Sequence, residues 1–317
     1  MNILICPSHN YIMPYGIMLE SLFANNGGED IHIYAIIDED VIVDDKIIID
    51  DIVRKYNAMI DYVFFPNSDN IQLPDMSCDR LTRATFFRLF SVSLLPREVT
   101  KILYLDGDII VMDNLRGLWE TDIENVAVAG IMDQWENNTW YNRLHYSSKL
   151  GYINSGVLLI NLKYWREHQV ESRFISFVEN HPERIKQHDQ DIINYVLREE
   201  KLLLPLRYNV QNAHYYKPEY SMLDYWSMES EILDAQKHPV ILHFAGAIKP
   251  WNFECKHPRV KDFDYYKRKT IWADKPLTSI TQTWKQKIVS LGKVVLERLH
   301  ILPQRECDSK YVEDSFN

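Results

Sequence analysis

Two carboxylates end an apolar run in the segment Lys101–Val111, which reads KILYLDGDIIV. Apolar residues on both sides of Asp106 and Asp108 predict a buried strand, where two neighbouring charges repel each other and lose hydration unless a cation joins them. Ligands of α/β proteins bind beyond the carboxyl ends of the strands. The pair therefore predicts a divalent metal with an anionic ligand such as a diphosphate. A solvated turn is the alternative, because a lone Asp-x-Asp is a weak motif.

The segment Ile241–Trp251 supplies a candidate third ligand. An apolar strand ends there in His243, and an imidazole can complete a metal shell that already holds two carboxylates. Gly246 and Lys249 follow, and the lysine offers a mobile positive charge to a diphosphate. A strand histidine is otherwise usually a core residue, so the glycine and lysine nearby favour the site.

Two segments in the first third of the chain are candidates for binding the rest of a ligand. Ser8-His-Asn-Tyr11 follows the first predicted strand, where sheets of this kind usually bind a nucleotide base or ribose. Arg88 lies among apolar residues and is expected to point inward, where its guanidinium can bind phosphate or carboxylate. An ordinary turn and surface salt bridges are the alternatives.

Two segments in the middle of the chain complete the set. Asn154-Ser-Gly156 is predicted to be a turn that leads into a buried strand, with a glycine that lets the backbone approach a ligand. Asp189 is expected to cap a helix, so that Gln190 and Asp191 project from its first turn. Plain strand entry and simple helix capping explain the same residues without a ligand.

Short apolar runs alternate with amphipathic segments, which predicts an α/β fold with a mostly parallel sheet covered by helices on both faces. Strands are predicted at 3–6, 31–37, 60–65, 102–105, 126–131 and 157–161. Helices are predicted at 13–23, 44–56, 82–90, 165–180 and 191–199. One domain is expected over 1–265, followed by a tail over 266–317.

Composition limits the classes of partner. The 317 residues carry 35 basic and 45 acidic side chains, and this net charge of −10 argues against a nucleic-acid binder. Four cysteines are scattered without the spacing of a zinc site or a disulfide framework, which suits a reducing compartment. With no secretory signal apparent at the first residues, we expect a cytoplasmic protein.

The tail predicts a basic amphipathic helix over 279–302. Its apolar residues recur at steps of three and four, and Lys285, Lys287, Lys293 and Arg298 outnumber Glu297. A basic helix with a tryptophan is typical of a segment that lies on anionic lipid. Packing against the main domain or against a partner chain is the alternative.

Together these segments resemble glycosyltransferase family 8, which includes bacterial lipopolysaccharide galactosyl- and glucosyltransferases and glycogenin. The matching segments stand in the family's order over residues 1 to about 255: Leu105-Asp-Gly-Asp108, Asn154-Ser-Gly156, Asp189-Gln-Asp191 and His243-Phe-Ala-Gly-Ala-Ile-Lys249. The resemblance implies a GT-A fold, a UDP-sugar donor and Mn²⁺ or Mg²⁺. It also implies a saccharide or glycolipid acceptor and a position on the cytoplasmic face of the inner membrane.

The resemblance also implies a role for each matched residue. Metal ligands would be Asp106, Asp108 and His243, and diphosphate contacts Gly246 and Lys249. The uridine would lie at Cys6, Ser8, Asn10 and Tyr11, and the donor sugar at Arg88, Asp133, Asn154, Asp189 and Gln190. Ser8 departs from the family, whose members often carry an acidic or other polar side chain there.

Family members retain anomeric configuration, which in a glycosidase requires a carboxylate nucleophile. Gln190 stands in that place here and is a poor nucleophile. We favour attack by the acceptor hydroxyl on the face that UDP leaves, with Gln190 stabilising an oxocarbenium-like transition state through its carbonyl. The alternative is a glycosyl-enzyme formed on Asp191.

Two other classes of protein share some of these features. Phosphatases that form an aspartyl-phosphate also carry Asp-x-Asp, but on their first strand and with a threonine where this chain has Ile110. A non-catalytic scaffold that binds a nucleotide sugar would keep the pocket without turnover, but the complete set of candidate metal ligands argues against it.

Overall fold

The computed structural model describes residues 1–66, 83–133, 138–215 and 225–280, and single positions between 288 and 301. The strands are β1 Asn2–Ile5, β2 His32–Ile37, β3 Met59–Phe64, β4 Lys101–Leu105, β5 Ile109–Val111, β6 Val128–Met132, β7 Ile153–Asn161, β8 Lys201–Leu203, β9 Val210–Gln211 and β10 Ile241–His243. The helices are α1 Ile12–Asn25, α2 Val43–Lys55, α3 Ser91–Leu94, α4 Arg116–Trp119, α5 Asn138–Leu144, α6 Leu162–Glu167, α7 Val170–Asn180, α8 His188–Val196, α9 Tyr225–Lys237 and α10 Val260–Lys267.

Seven strands form the main sheet in the order β3-β2-β1-β4-β7-β6-β8. Only β7 runs antiparallel to its neighbours, β4 and β6, so the sheet is mostly parallel as predicted. A second sheet has the order β5-β10-β9. The turn between β4 and β5 therefore joins the two sheets, and this turn contains the two candidate metal-binding aspartates.

The core lies on both faces of the main sheet. Ile3 and Ile5 of β1 pack into one apolar cluster with α1, whereas Leu4 between them packs into a second cluster with Tyr104 and Trp165. Alternate side chains of a strand point to opposite faces, so a strand that is apolar at every position is covered on both. The predicted layered architecture is confirmed.

Several predicted bounds differ from the structure. Residues 83–90 form a 3-10 helix, and the helix predicted over 165–180 is two helices separated at Gln169, whose φ is +49°. The predicted turn Asn154–Gly156 is the first part of β7, because Ile153 pairs with Met132 across an irregularity in β6. Asp189 does not cap α8: the helix starts at His188, and Asp189 lies in its first turn.

Packing against the main domain continues past residue 265. The Trp272 ring packs on Gly16 of α1. The backbone of Thr278 forms hydrogen bonds with the backbone of Trp251 and Phe253. The expected boundary between 265 and 266 is therefore not a break in packing. Most of the amphipathic segment 279–302 lies outside the described residues, although apolar side chains described there, such as Ile288 and Leu299, are exposed. No described helix has the length and apolar character needed to span a bilayer.

Candidate functional site

Backbone hydrogen bonds hold the turn between the two sheets. The Asp106 N–H donates to the Gly156 carbonyl of β7, and the Phe244 N–H beyond β10 donates to the Asp108 carbonyl, both at 2.9 Å. His243, the last residue of β10, pairs with Ile109 directly after Asp108. The register of three strands thus brings residues from distant parts of the chain to one point.

Asp106, Asp108 and His243 converge there. Their ligand atoms lie within 4.8 Å of one another, and within the described residues no other group of three such side chains does so. His243 Nε2 lies 3.3 Å from an Asp108 oxygen and 3.9 Å from an Asp106 oxygen. Two carboxylates and an imidazole are a suitable donor set for a divalent ion such as Mn²⁺, with positions left for other ligands. The chemistry of the site fits the implied metal.

The convergence depends on Gly156. A Cβ at this position would lie 2.4 Å from the His243 ring and 2.7 Å from an Asp106 oxygen. No side chain fits there without moving one of the candidate ligands. The glycine in the Asn154-Ser-Gly156 motif therefore creates the room in which these two side chains meet.

Lys249 adds a positive charge beside Asp108. Its ammonium donates to an Asp108 oxygen at 2.5 Å and to the Phe244 carbonyl at 2.9 Å. Burial by itself would raise the pKa of Asp108, but Lys249 and His243 beside it hold that pKa well below its usual value. Asp108 is therefore anionic at physiological pH, as a metal ligand would need to be.

Arg88 points inward as predicted and lies between two carboxylates. Its guanidinium is 3.2 Å from Asp106 and 3.4 Å from Asp189, donates to the Ser155 carbonyl at 2.7 Å and covers the Tyr104 ring. Burial, opposed by Arg88, raises the pKa of Asp189 to about 6. The Asp189 oxygen nearest Arg88 is buried and makes no hydrogen bond, and it faces the equally unbonded Nε of Arg88.

A network of amides links Gln190 to β7. The Gln190 carbonyl oxygen accepts from the Ser155 N–H at 3.0 Å and from Asn154 Nδ2 at 3.2 Å. Asn154 and Gln190 both donate to the same oxygen of Asp133, at 2.9 and 3.1 Å. The Gln190 carbonyl oxygen thus already accepts two hydrogen bonds.

Asp191 faces away from the cavity and is fully buried. Its two oxygens accept five hydrogen bonds at 2.6–3.0 Å. The donors are both terminal nitrogens of Arg143, the Tyr152 hydroxyl and the backbone N–H groups of Lys186 and Gln187. The carboxylate holds the turn that leads into α8, which is why Asp189 is not the cap. This geometry argues against the predicted alternative in which Asp191 is the nucleophile.

A cavity of about 290 Å³ opens over these groups. Candidate residues that line it are Cys6, Ser8, Tyr11, Arg88, Asp106, Asp108, Asn154, Asp189, Gln190, His243 and Lys249. Asn10, Asp133 and Gly246 do not line it: Asn10 is exposed, Asp133 is buried behind Asn154, and Gly246 packs against Asn212. Burial raises the pKa of the Cys6 thiol to about 12, so this cysteine contributes shape and not reactivity.

Sequence reasoning missed several residues of the site. Tyr104 donates to Asp106, His188 lines the cavity, and Asn209 contacts both His243 and Asn154. Tyr104 lies in the apolar segment before Asp106, and its position there indicates a core residue. Asn209 is a single polar residue with no motif around it, so no local signal could have found it.

The chain is similar to several known proteins. A family model described as glycosyl transferase family 8 matches residues 2–255. General stress protein A of Bacillus subtilis is 26% identical over 86% of this chain and 94% of its own. A lipopolysaccharide 1,2-glucosyltransferase of Escherichia coli is 27% identical over 84% of this chain and 77% of its own. The crystal structure of the galactosyltransferase LgtC with donor and acceptor sugar analogues superimposes with a TM-score of 0.73 at 22% identity, covering 90% of this chain and all of that one.

Proposed function

Because the chain belongs to glycosyl transferase family 8, and is therefore a glycosyltransferase, we propose that it transfers glucose or galactose from a UDP-sugar to a saccharide acceptor with retention of configuration. The observation that carries this proposal is the convergence of Asp106, Asp108 and His243 at the cavity, with Lys249 beside them. The proposed ion is Mn²⁺ or Mg²⁺. When bound, it neutralises charge that develops on the departing diphosphate.

The chain's own residues supply the remaining steps. Lys249 is the proposed donor to the diphosphate oxygens, and it must release Asp108 in part when an ion binds. Asp189 is the proposed acceptor from a sugar hydroxyl, and Arg88 holds it in place. Cys6, Ser8 and Tyr11 form the part of the cavity in which we place the uridine. Asn10 and Gly246 join these contacts only if the surrounding segments move on binding.

We favour attack by the acceptor hydroxyl on the face from which UDP leaves, with the β-phosphate taking the hydroxyl proton. Asp191 does not line the cavity and already accepts five hydrogen bonds, which speaks against a covalent intermediate on that residue. Gln190 is the proposed group beneath the sugar, where its carbonyl dipole stabilises positive charge.

The acceptor is proposed to be a growing surface glycan, such as lipopolysaccharide, since two relatives carry lipopolysaccharide glucosyltransferase in their names. Enzymes that use lipid-linked acceptors work at a membrane, and the basic apolar segment 279–302 is the proposed contact with the cytoplasmic face of the inner membrane. Loss of liposome binding on truncation after residue 280 is the expected result. Equal binding by both forms would contradict this part of the proposal.

The test of the main proposal is release of UDP from a panel of UDP-sugars, with acceptor, in Mn²⁺ and in EDTA. We expect turnover of one donor, its loss in EDTA, and a decrease of at least about 100-fold in Asp108→Asn. Asp113→Asn, which changes an exposed aspartate in the same segment, is the matched control. Tight binding of UDP-sugar without turnover under every condition would favour the scaffold alternative.

A further inference from the structure

A buried amide lies directly behind the candidate metal site. Asn209, between the 3-10 helix Leu206–Tyr208 and β9, is completely inaccessible to solvent. Its Nδ2 lies 3.0 Å from Asn154 Oδ1, and its Oδ1 lies 2.9 Å from His243 Nδ1. One side chain therefore joins a candidate metal ligand to a candidate sugar-binding residue.

Neighbouring groups fix the direction of each of these bonds. The Gly156 N–H can only donate, and it lies 3.0 Å from Asn154 Oδ1. The Asp133 carboxylate accepts from Asn154 Nδ2 on the other side. These two contacts set the orientation of the Asn154 amide, so the atom of Asn209 that faces Asn154 Oδ1 must be a donor. The carbonyl oxygen of Asn209 then faces His243.

The bond to His243 decides which ring nitrogen is free. A carbonyl oxygen only accepts, so the neutral His243 ring carries its proton on Nδ1. Nε2 is left with a lone pair, and Nε2 is the nitrogen that faces Asp106 and Asp108. Metal-binding histidines are generally held in the required tautomer by such a partner on the other nitrogen.

We propose that Asn209 is a positioning residue that holds His243 in the metal-binding tautomer and couples the metal site to Asn154. The inference rests on the proposed metal-dependent function. An amide is the group that meets both demands, since it accepts toward His243 and donates toward Asn154. Aspartate keeps the first bond and loses the second, whereas leucine, of similar size, loses both.

The experiment measures UDP binding by calorimetry across a Mn²⁺ series. Wild type, Asn209→Leu and Asn209→Asp are compared with the control Asn26→Leu, since Asn26 is a buried amide that donates to Leu22 and accepts from Leu115 outside the cavity. Asn209→Leu is expected to need at least about 10-fold more Mn²⁺ for half-maximal binding, the usual effect of losing such a partner. Asn209→Asp should stay within about threefold of wild type, because it keeps the bond to His243.

The outcomes separate the inference from the proposed function. If wild type shows no Mn²⁺-dependent UDP binding, the proposed function fails. If wild type binds but Asn209→Leu needs no more Mn²⁺, or both Asn209 variants weaken equally, the inference is overturned. Should Asn209→Leu not fold, ¹⁵N NMR of the His243 ring decides, measured in metal-free wild type at a pH where the ring is neutral. A proton on Nδ1 supports the inference, and a proton on Nε2 overturns it.

Discussion

At the scale of single residues, Asp191 shows how burial decides the role of a carboxylate. A nucleophile must reach the sugar, yet Asp191 is fully buried and bonded to Arg143, Tyr152 and the turn at Lys186 and Gln187. Its contacts place the turn that presents His188 and Gln190 to the cavity. Loss of activity on changing Asp191 would therefore not by itself identify a covalent intermediate.

The first prediction separates the two roles of Asp191. We expect Arg143→Met and Asp191→Asn to lower kcat by similar factors, of about 10- to 100-fold, because either change releases the turn. Steady-state rates for both variants, with unfolding midpoints measured in parallel, test this. A carboxylate that attacks the sugar would give a far larger loss in Asp191→Asn than in Arg143→Met, and a trapped glycosyl-enzyme by mass spectrometry would contradict our interpretation directly.

At the scale of elements, the site is built where three strands from two sheets meet. Asp106 directly follows β4, β10 ends in His243, and β7 contains Gly156, whose lack of a side chain leaves room for both. Strand register sets the position of each side chain, since the Asp106 N–H donates to the Gly156 carbonyl and His243 pairs with Ile109. The ligand geometry therefore follows from the same packing that stabilises the sheet.

The second prediction tests this junction. Gly156→Ala is expected to abolish Mn²⁺-dependent UDP binding, since the new methyl group must displace His243 or Asp106. Gly28→Ala is the control, because a Cβ there meets nothing within 4 Å. Circular dichroism should show a folded protein in both cases. Retention of normal Mn²⁺ affinity in Gly156→Ala would show that the ligands lie elsewhere.

The third prediction concerns the segment that follows α10. A chain ended after residue 280 should unfold cooperatively near the midpoint of the full chain, whereas a chain ended after 265 should be strongly destabilised. The shorter chain loses the packing of Trp272 on Gly16 and the backbone bonds of Thr278. Thermal unfolding of both truncations is the measurement. Equal stability of the two would restore the domain boundary expected from the sequence.

At the scale of the whole molecule, two buried histidines make stability depend on pH. His214 and His257 are both buried, and burial lowers their pKa values to about 4 and about 3. Because the unfolded chain takes up these protons more readily, the native state gains stability above the ordinary histidine pKa and loses it as pH falls below that value. Below pH 6.5, the free energy of unfolding should therefore decrease.

The fourth prediction follows from that sign. Between pH 7 and pH 4.5, each of these histidines should remove about 2 kcal/mol from the free energy of unfolding. Replacing both with glutamine should flatten this part of the pH dependence, even if the variant is less stable at pH 7. Urea unfolding at several pH values tests it, with the exposed His238 changed to glutamine as the control. An unchanged slope in the double variant would contradict the assignment.

The sequence by itself determined the layered α/β fold and the family, and it predicted that Asp106 and Asp108 meet His243, which the structure confirms. These follow from local patterns: strand and helix periodicity, and short motifs that follow predicted strands in the order typical of the family. The inward direction of Arg88 could also be predicted, because a charged residue within an apolar run is usually buried only with a partner of opposite charge. These patterns depend on residues that are close in sequence, so they can be recognised without knowledge of the tertiary contacts.

Only the tertiary structure showed the partners of Asp191, Asn209 and Asn154, and the packing that continues past residue 265. Asp191 meets Arg143 and Tyr152 from distant elements, and Asn209 meets His243 and Asn154 across two sheets. A buried polar group must find its partner wherever the fold brings one, so its hydrogen bonds depend on strand pairing between remote segments. Local residue patterns contain no information about that pairing, which is why these partners could not be read from the chain.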